Sequence, residues 1–214
     1  WGVCGGGEIT AENWEAQREA ILSVAKWAQE NGVHEFQIGN EEEKHVDGTT
    51  MTVEQIRINL KSVAAEVQEI FTNGNISYSM CERPSIEAWN AIGIGDIDII
   101  AYNTYVNTNT QADWDWWKGD IDLLVRYFGT DHTYLTEFAP SYISLDSYST
   151  DEAEQAEAVA AMIDYIKNSG MTKAIFFNYY DDARPFGPTG FGVLKEDETF
   201  RLLWNQALQG KEYL

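Results

Sequence analysis

Apolar and polar positions alternate in two periods along the chain, and the switch between them marks the elements. Over residues 11–31, Ile21, Val24, Ala25 and Ala28 recur at helical spacing, and Asn31-Gly32 ends the run. The segment His34-Glu35-Phe36-Gln37-Ile38-Gly39 reads as a short strand leading into Asn40-Glu41. Thr52-x-x-Gln55 is a capping box, and behind it Val53, Ile56, Leu60, Val63, Val67 and Ile70 repeat at steps of three and four. That pattern predicts a helix over 52–72, stopped by Asn73-Gly74.

The alternation continues to the end. Ile76–Met80 is a predicted strand, 85–92 a short helix, and 96–105 a buried strand around Ile97, Ile99, Ile100 and Ala101. A helix over 116–128 places Ile121, Leu124, Val125 and Phe128 on one face, and Thr133–Glu137 is the next strand. Ser149-x-x-Glu152 is a second capping box, opening a helix to about Lys167 that Gly170 ends. A strand over Lys173–Tyr179 and a closing helix over 199–208 complete the pattern.

Strands alternating with helices predict a parallel sheet with helices on its faces. The sheet is either an open doubly wound one or a (β/α) barrel. No Gly-x-Gly-x-x-Gly follows a strand, so the nucleotide-binding form of the open sheet lacks its usual signature.

Composition narrows the function classes. The 214 residues carry 14 Lys+Arg against 35 Asp+Glu, a net charge of -21, and are 44% hydrophobic. Such a chain has enough apolar side chains for a single domain with a sizeable core. Its charge opposes a nucleic-acid or anionic-membrane partner, because phosphates are repelled. No apolar run approaches the ~20 residues of a membrane helix. Cys4 and Cys81 lack metal-ligand spacing and read as two free thiols. The chain opens on Trp1 rather than Met, which reads as a start inside a longer gene product.

Two carboxylates stand out by position. Glu41 follows Phe36-Gln37-Ile38-Gly39-Asn40, and Glu137 ends Tyr134-Leu135-Thr136. Both fall at C-terminal strand ends, where α/β sheets and barrels place their sites. Sugar–sugar bond cleavage needs such a pair: one acid to protonate the leaving oxygen, one carboxylate to attack or to activate water. The bland alternative is a solvated glutamate at each strand end. Glu41-Glu42-Glu43 and Asp181-Asp182 raise the question of a hard metal site, but calcium-loop spacing is absent, so neither a metal nor a cofactor is expected.

Ile38-Gly39-Asn40-Glu41 resembles the Asn-Glu motif after the fourth strand of clan A glycoside hydrolases, a family 5-like or related enzyme. Leu135-Thr136-Glu137-Phe138 resembles the seventh-strand nucleophile motif of that clan, and Ala174–Asp182 its eighth strand. Gly190-Phe191-Gly192-Val193-Leu194 is similar to the segment before the clan's last helix.

The resemblance implies a (β/α)8 TIM barrel in which Glu41 is the general acid/base and Glu137 the nucleophile of a retaining mechanism on β-linked glycans. In that mechanism the two carboxyl groups lie ~5–5.5 Å apart. It further implies that Asn40 hydrogen-bonds the sugar, that Tyr105 donates to Glu137, and that Asn103 shares the site, being of the same strand parity as Tyr105. Asn178 and Tyr179 stand near the place of an eighth-strand Trp. Glu42 and Glu43 replace the usual Pro after Asn-Glu, and Asn103-x-Tyr105 replaces a frequent His-x-Tyr.

Trp114, Trp116 and Trp117 are expected in the loop after the sixth strand, where Trp114 and Trp116 are candidates to stack on a sugar ring. The alternative has Trp116 or Trp117 beginning the next helix. His45 is expected as a loop residue.

Counted against the eight strands of the barrel, this chain is read as strands four to eight, with Trp1–Gly7 as the end of strand three or the loop after it. Residues 1–214 are then one catalytic domain without its N-terminal strands. The expected partners are an oligo- or polysaccharide and, at open sheet edges, a missing N-terminal segment or a second copy. The substrate class points to a secreted location. A carbohydrate-binding barrel without turnover, or an inactive fragment of such an enzyme, is the alternative.

Overall fold

A computed structural model describes residues 8–140 and 152–177, and the backbone of 183–184 and 187–188. The Ser149 cap, Asn178, Tyr179, Asp181-Asp182, Cys4, the 190–194 segment and the 199–208 helix lie outside the described residues. The chain divides into two compact units, Trp1–Tyr102 and Asn103–Leu214, with the boundary inside one strand.

The first unit begins with α1 (Trp14–Glu30), β1 (Glu35–Asn40) and a single 3-10 turn over Glu42–Lys44. It continues with α2 (Val53–Ile70), β2 (Asn75–Cys81), α3 (Arg83–Ile92) and the first half of β3 (Ile99–Val106). The expected capping box on α2 is present: Thr52 Oγ1 accepts from the Gln55 amide at 3.2 Å, and Gln55 Oε1 accepts from the Thr52 amide at 3.0 Å. Ile56, Leu60, Val63 and Val67 of the predicted stripe are buried, together with Ala64, whereas Val53 and Ile70 at its ends are not.

In α1 the stripe is only half covered. Ala25 and Ala28 are buried, but Val24 is 40% and Trp27 59% exposed. A cavity of about 320 Å³ lies beside this helix, lined by Trp14, Ile21, Val24, Phe36, Ile38 and Glu42 among others. β1 and β2 pair in parallel. Gly74 permits this approach, because a Cβ there would strike the His34 carbonyl. From Ile76 to Cys81 every residue of β2 is buried, as expected of a parallel strand covered on both faces.

The second unit holds the rest of β3, then α4 (Gln111–Phe128), β4 (Thr133–Pro140), α5 (Glu152–Asn168) and β5 (Ala174–Phe176). Trp117, Ile121 and Leu124 of α4 and Val159, Met162, Ile163 and Ile166 of α5 are buried here. Trp117 meets Tyr165 at 5.8 Å between ring centroids. β4 and β5 pair in parallel, with Phe138 and Phe176 edge-to-face. Ala183–Arg184 and Gly187–Pro188 form a separate antiparallel pair, β6 and β7.

The main sheet has five strands in the order β1-β2-β3-β4-β5. Strand order following chain order, with helices between parallel strands, is the arrangement of a partial (β/α)8 barrel. Among the described residues no helix is long and apolar enough to cross a membrane.

The first helix of the second unit differs from expectation. It begins at Gln111 rather than near 116, because Thr110 Oγ1 caps the Asp113 amide at 3.3 Å. Trp114, Trp116 and Trp117 therefore sit on a helix and not in a loop.

Candidate active site

In the first unit the candidate is built on the end of β1. Gln37 pairs with Ser77, and Asn40 with Ser79, so three steps along β1 match two along β2. The extra residue is a β-bulge at Ile38–Gly39, a device common beside functional sites. Asn40 closes the strand, and the Glu41 amide still bonds the Ser79 carbonyl at 2.8 Å. Glu41 then turns the chain with φ 62° and ψ 26°, the left-handed region, which is costly for a residue with a Cβ.

That turn sends three consecutive glutamates to three places. Glu41 faces Lys44, whose Nζ lies 3.4 Å from Glu41 Oε2. Glu42 folds back under β1, where its carboxyl fills the space that a Cβ on Gly39 would need. Burial pushes the Glu42 carboxyl up to about 7, opposed in part by the backbone N–H groups of Asn40 and Glu42 itself. Glu43 is buried, and its Oε1 accepts from Arg57 Nε of α2 and, at 3.0 Å, from Trp89 Nε1 of α3. Among the described residues no three carboxylate, imidazole or thiol groups gather where they could hold a metal ion. His45 follows the turn, and its carbonyl receives the Ile9 amide at 2.6 Å.

Cys81 ends β2 beside this turn, buried and unbridged. Burial, then the Glu41 carboxylate, pushes its thiol up to about 12, so it stays protonated at neutral pH. Glu82 follows with φ 68°, and its Oε1 is 3.9 Å from Lys44 Nζ.

In the second unit the candidate is built on β3 and β4. Leu135 pairs with Ala174 and Phe138 with Phe176, so β4 also carries an extra residue, at Thr136–Glu137. Strand alternation would put these neighbours on opposite faces. Instead Thr136 Oγ1 donates to Asn103 Oδ1 at 2.7 Å, and Tyr105 Oη donates to Glu137 Oε2. Asn103 and Tyr105 share β3 parity, so the bulge brings both β4 side chains to one face. The Tyr105 ring packs edge-on to Phe177 at 6.2 Å between centroids.

The tryptophans separate. Trp117 is 1% exposed and belongs to the core, whereas Trp116 is 57% exposed. Trp114 lies edge-on to Trp117 at 6.0 Å, and its Nε1 donates to Asn109 Oδ1 at 3.2 Å. The Thr110-x-x-Asp113 spacing carried the signal for the earlier helix start. Arg57, Trp89 and Lys44, which hold the turn around Glu41, are absent from the sequence-based site.

No protein-family model matches this sequence, and no curated protein does. Solved structures do match. A Bacteroides uniformis β-glucuronidase superposes with a TM-score of 0.67 at 13% identity, over 89% of this chain and 25% of its own. A Bifidobacterium dentium β-glucuronidase, in complex with coumarin-3-O-glucuronide, gives 0.65 at 16% identity over 92% of this chain and 33% of its own. A GH113 β-1,4-mannanase gives 0.64 at 17% identity over 97% of this chain and 66% of its own. The chain thus spans about a third or less of those glucuronidases and 66% of the mannanase. At these identities the likeness establishes the fold alone, a partial (β/α) barrel.

Proposed function

We propose that this chain carries the catalytic carboxylates of a glycoside hydrolase acting on β-linked glycans by a retaining double displacement. Glu137 is the nucleophile and Glu41 the general acid/base. The observation that supports this most is the Tyr105 hydroxyl donating to Glu137 from the neighbouring strand. A phenol so placed orients the carboxylate and favours its charged form, the state in which a carboxylate attacks. The three solved structures named above, two β-glucuronidases and a β-1,4-mannanase, lend fold-level support.

In the reaction, Glu41 gives its proton to the leaving oxygen while Glu137 attacks the anomeric carbon and forms a glycosyl ester. Glu41 then takes a proton from water, which cleaves the ester and restores Glu137. Asn40, Asn103 and Tyr105 contact the sugar, and Trp114 and Trp116 are the aromatic candidates for a neighbouring subsite. Asn178 and Tyr179 belong to the same proposal from sequence.

An activated 2-fluoro β-glycoside tests the assignment, because the fluorine slows hydrolysis of the ester and lets it accumulate. The full-length polypeptide should gain the mass of one glycosyl group on the peptide containing Glu137. NMR of the first-formed product should show the β anomer. Label on another residue, or an inverted product, rules out these roles for Glu137 and Glu41.

A further inference from the structure

We infer that Lys44 is a positioning residue for Glu41, clamping the ends of β1 and β2 and holding a positive charge against the acid/base carboxylate. This rests on the role proposed for Glu41.

Among the described residues only two non-glycine positions have positive φ, Glu41 at 62° and Glu82 at 68°. Both are ion-pair partners of the same ammonium, at 3.4 Å and 3.9 Å. Strained backbone persists where surrounding contacts over-determine it. The Lys44 amide also bonds the Glu41 carbonyl at 2.9 Å, so backbone and side chain close the same turn. Lys44 lies three residues after Glu41, and the left-handed step at Glu41 is what folds it back.

The neighbours decide where the ammonium's charge acts. From β2 come Cys81 and Glu82; from the turn itself come Glu42 and Glu43. Cys81 is a neutral thiol at working pH. The Glu82 side chain is 66% exposed and the Glu41 side chain 20%, so water screens the Glu82 pair more. Glu43 is engaged with Arg57, and Glu42 is turned under β1. Desolvation pulls the Lys44 ammonium down, but it stays above its ordinary value beside the Glu41 carboxyl. It therefore stays charged throughout the cycle. Its charge stands 3.4 Å from the Glu41 carboxyl and holds that group in one rotamer.

The experiment compares kcat/KM for wild type, Lys44→Met, Lys44→Arg and Glu41→Gln on two aryl β-glycosides, one with a poor and one with an activated leaving group, in the full-length polypeptide. Lys44→Met should lose about tenfold on the poor leaving group and much less on the activated phenol, because an acid/base that is not held in place fails where the leaving oxygen needs its proton. Lys44→Arg should restore most of that loss. Wild-type values for Lys44→Met on both substrates, while Glu41→Gln loses activity on the poor one, overturn this inference and leave the role of Glu41 standing. Equal losses on both substrates in Lys44→Met mark a merely structural lysine and overturn it equally. Wild-type activity in Glu41→Gln overturns the proposed role of Glu41 and this inference with it.

Discussion

The ends of β1 and β4 each deliver a carboxylate next to a bulge, and they hold it by different means. At β1 the bulge precedes the glutamate. Glu41 lies past the strand on a left-handed turn, tied by an ammonium and anchored through Glu43 to Arg57 and Trp89. At β4 the bulge contains the glutamate. Glu137 stays within the strand, held by a neutral phenol from β3. The difference suits the two tasks proposed for them. A nucleophile keeps its charge until it attacks and gains from a fixed strand position. An acid/base exchanges a proton twice per cycle and sits where a turn can bring cations to it.

The largest effect that bears on this contrast is the loss of the strand-held carboxylate. Glu137→Gln should lower turnover of an aryl β-glycoside by about 10⁴-fold or more, since the covalent route is removed. The turn-held carboxylate should matter less when the leaving group needs no proton. Glu41→Gln should therefore cost ~10²–10⁴-fold on a poor leaving group and much less on an activated phenol. Equal losses on both substrates would erase the distinction between the two ends.

The anchor below Glu41 offers the next test. Glu43 and Arg57 are a buried pair, and removing one partner leaves an uncompensated charge. Arg57→Met should destabilise the protein by ~3–5 kcal/mol in urea denaturation. The double variant Arg57→Met/Glu43→Gln should recover part of that loss, because no bare carboxylate remains. Failure to recover would mean that the pair is not what holds the turn.

Much of this was legible in the sequence, and the exceptions have physical causes. The five strands and the α2 helix follow from apolar period and from a Thr-x-x-Gln cap, signals carried by residues close in sequence. The start of α4 was equally local but was masked by three tryptophans, which read as a sugar-binding loop although Thr110 caps the helix ahead of them. The bulges were not legible. They exist as a mismatch between paired strands: Gly39 is at most a weak mark of the first, and nothing within Thr136-Glu137 announces the second. Nor was the left-handed turn, since it falls on a glutamate where glycine or asparagine is the usual sign. The Tyr105–Glu137 bond came into view only through resemblance to a known clan. The divergence of Glu41, Glu42 and Glu43 followed from that hidden turn.

Glu42 makes the β1 end pH-sensitive. Its carboxyl is raised from an ordinary 4.5 to about 7 by burial, so the folded state favours the neutral form. Stability from this group is complete below its unfolded value and is lost as pH rises through about 7. The loss should be on the order of 2–3 kcal/mol between acid and neutral pH. Glu42→Gln, neutral at all pH, should flatten that part of the stability profile in thermal or urea unfolding. An unchanged slope would remove Glu42 as its source.

The smallest effect belongs to the β4 bulge, and it tests the geometry on which the Glu137 side of the contrast depends. If the extra residue turns Thr136 to the same face as Glu137, then Thr136 and Asn103 are energetically coupled through the 2.7 Å hydrogen bond. A regular strand would point Thr136 away and leave the two independent. A double-mutant cycle of Thr136→Val and Asn103→Ala should give a coupling energy of ~0.5–1.5 kcal/mol in equilibrium unfolding, the usual worth of a neutral hydrogen bond. Zero coupling would place Thr136 on the other face and return β4 to simple alternation. Aiming the Glu137 carboxylate would then fall to the Tyr105 hydroxyl, and the bulge would have no part in it.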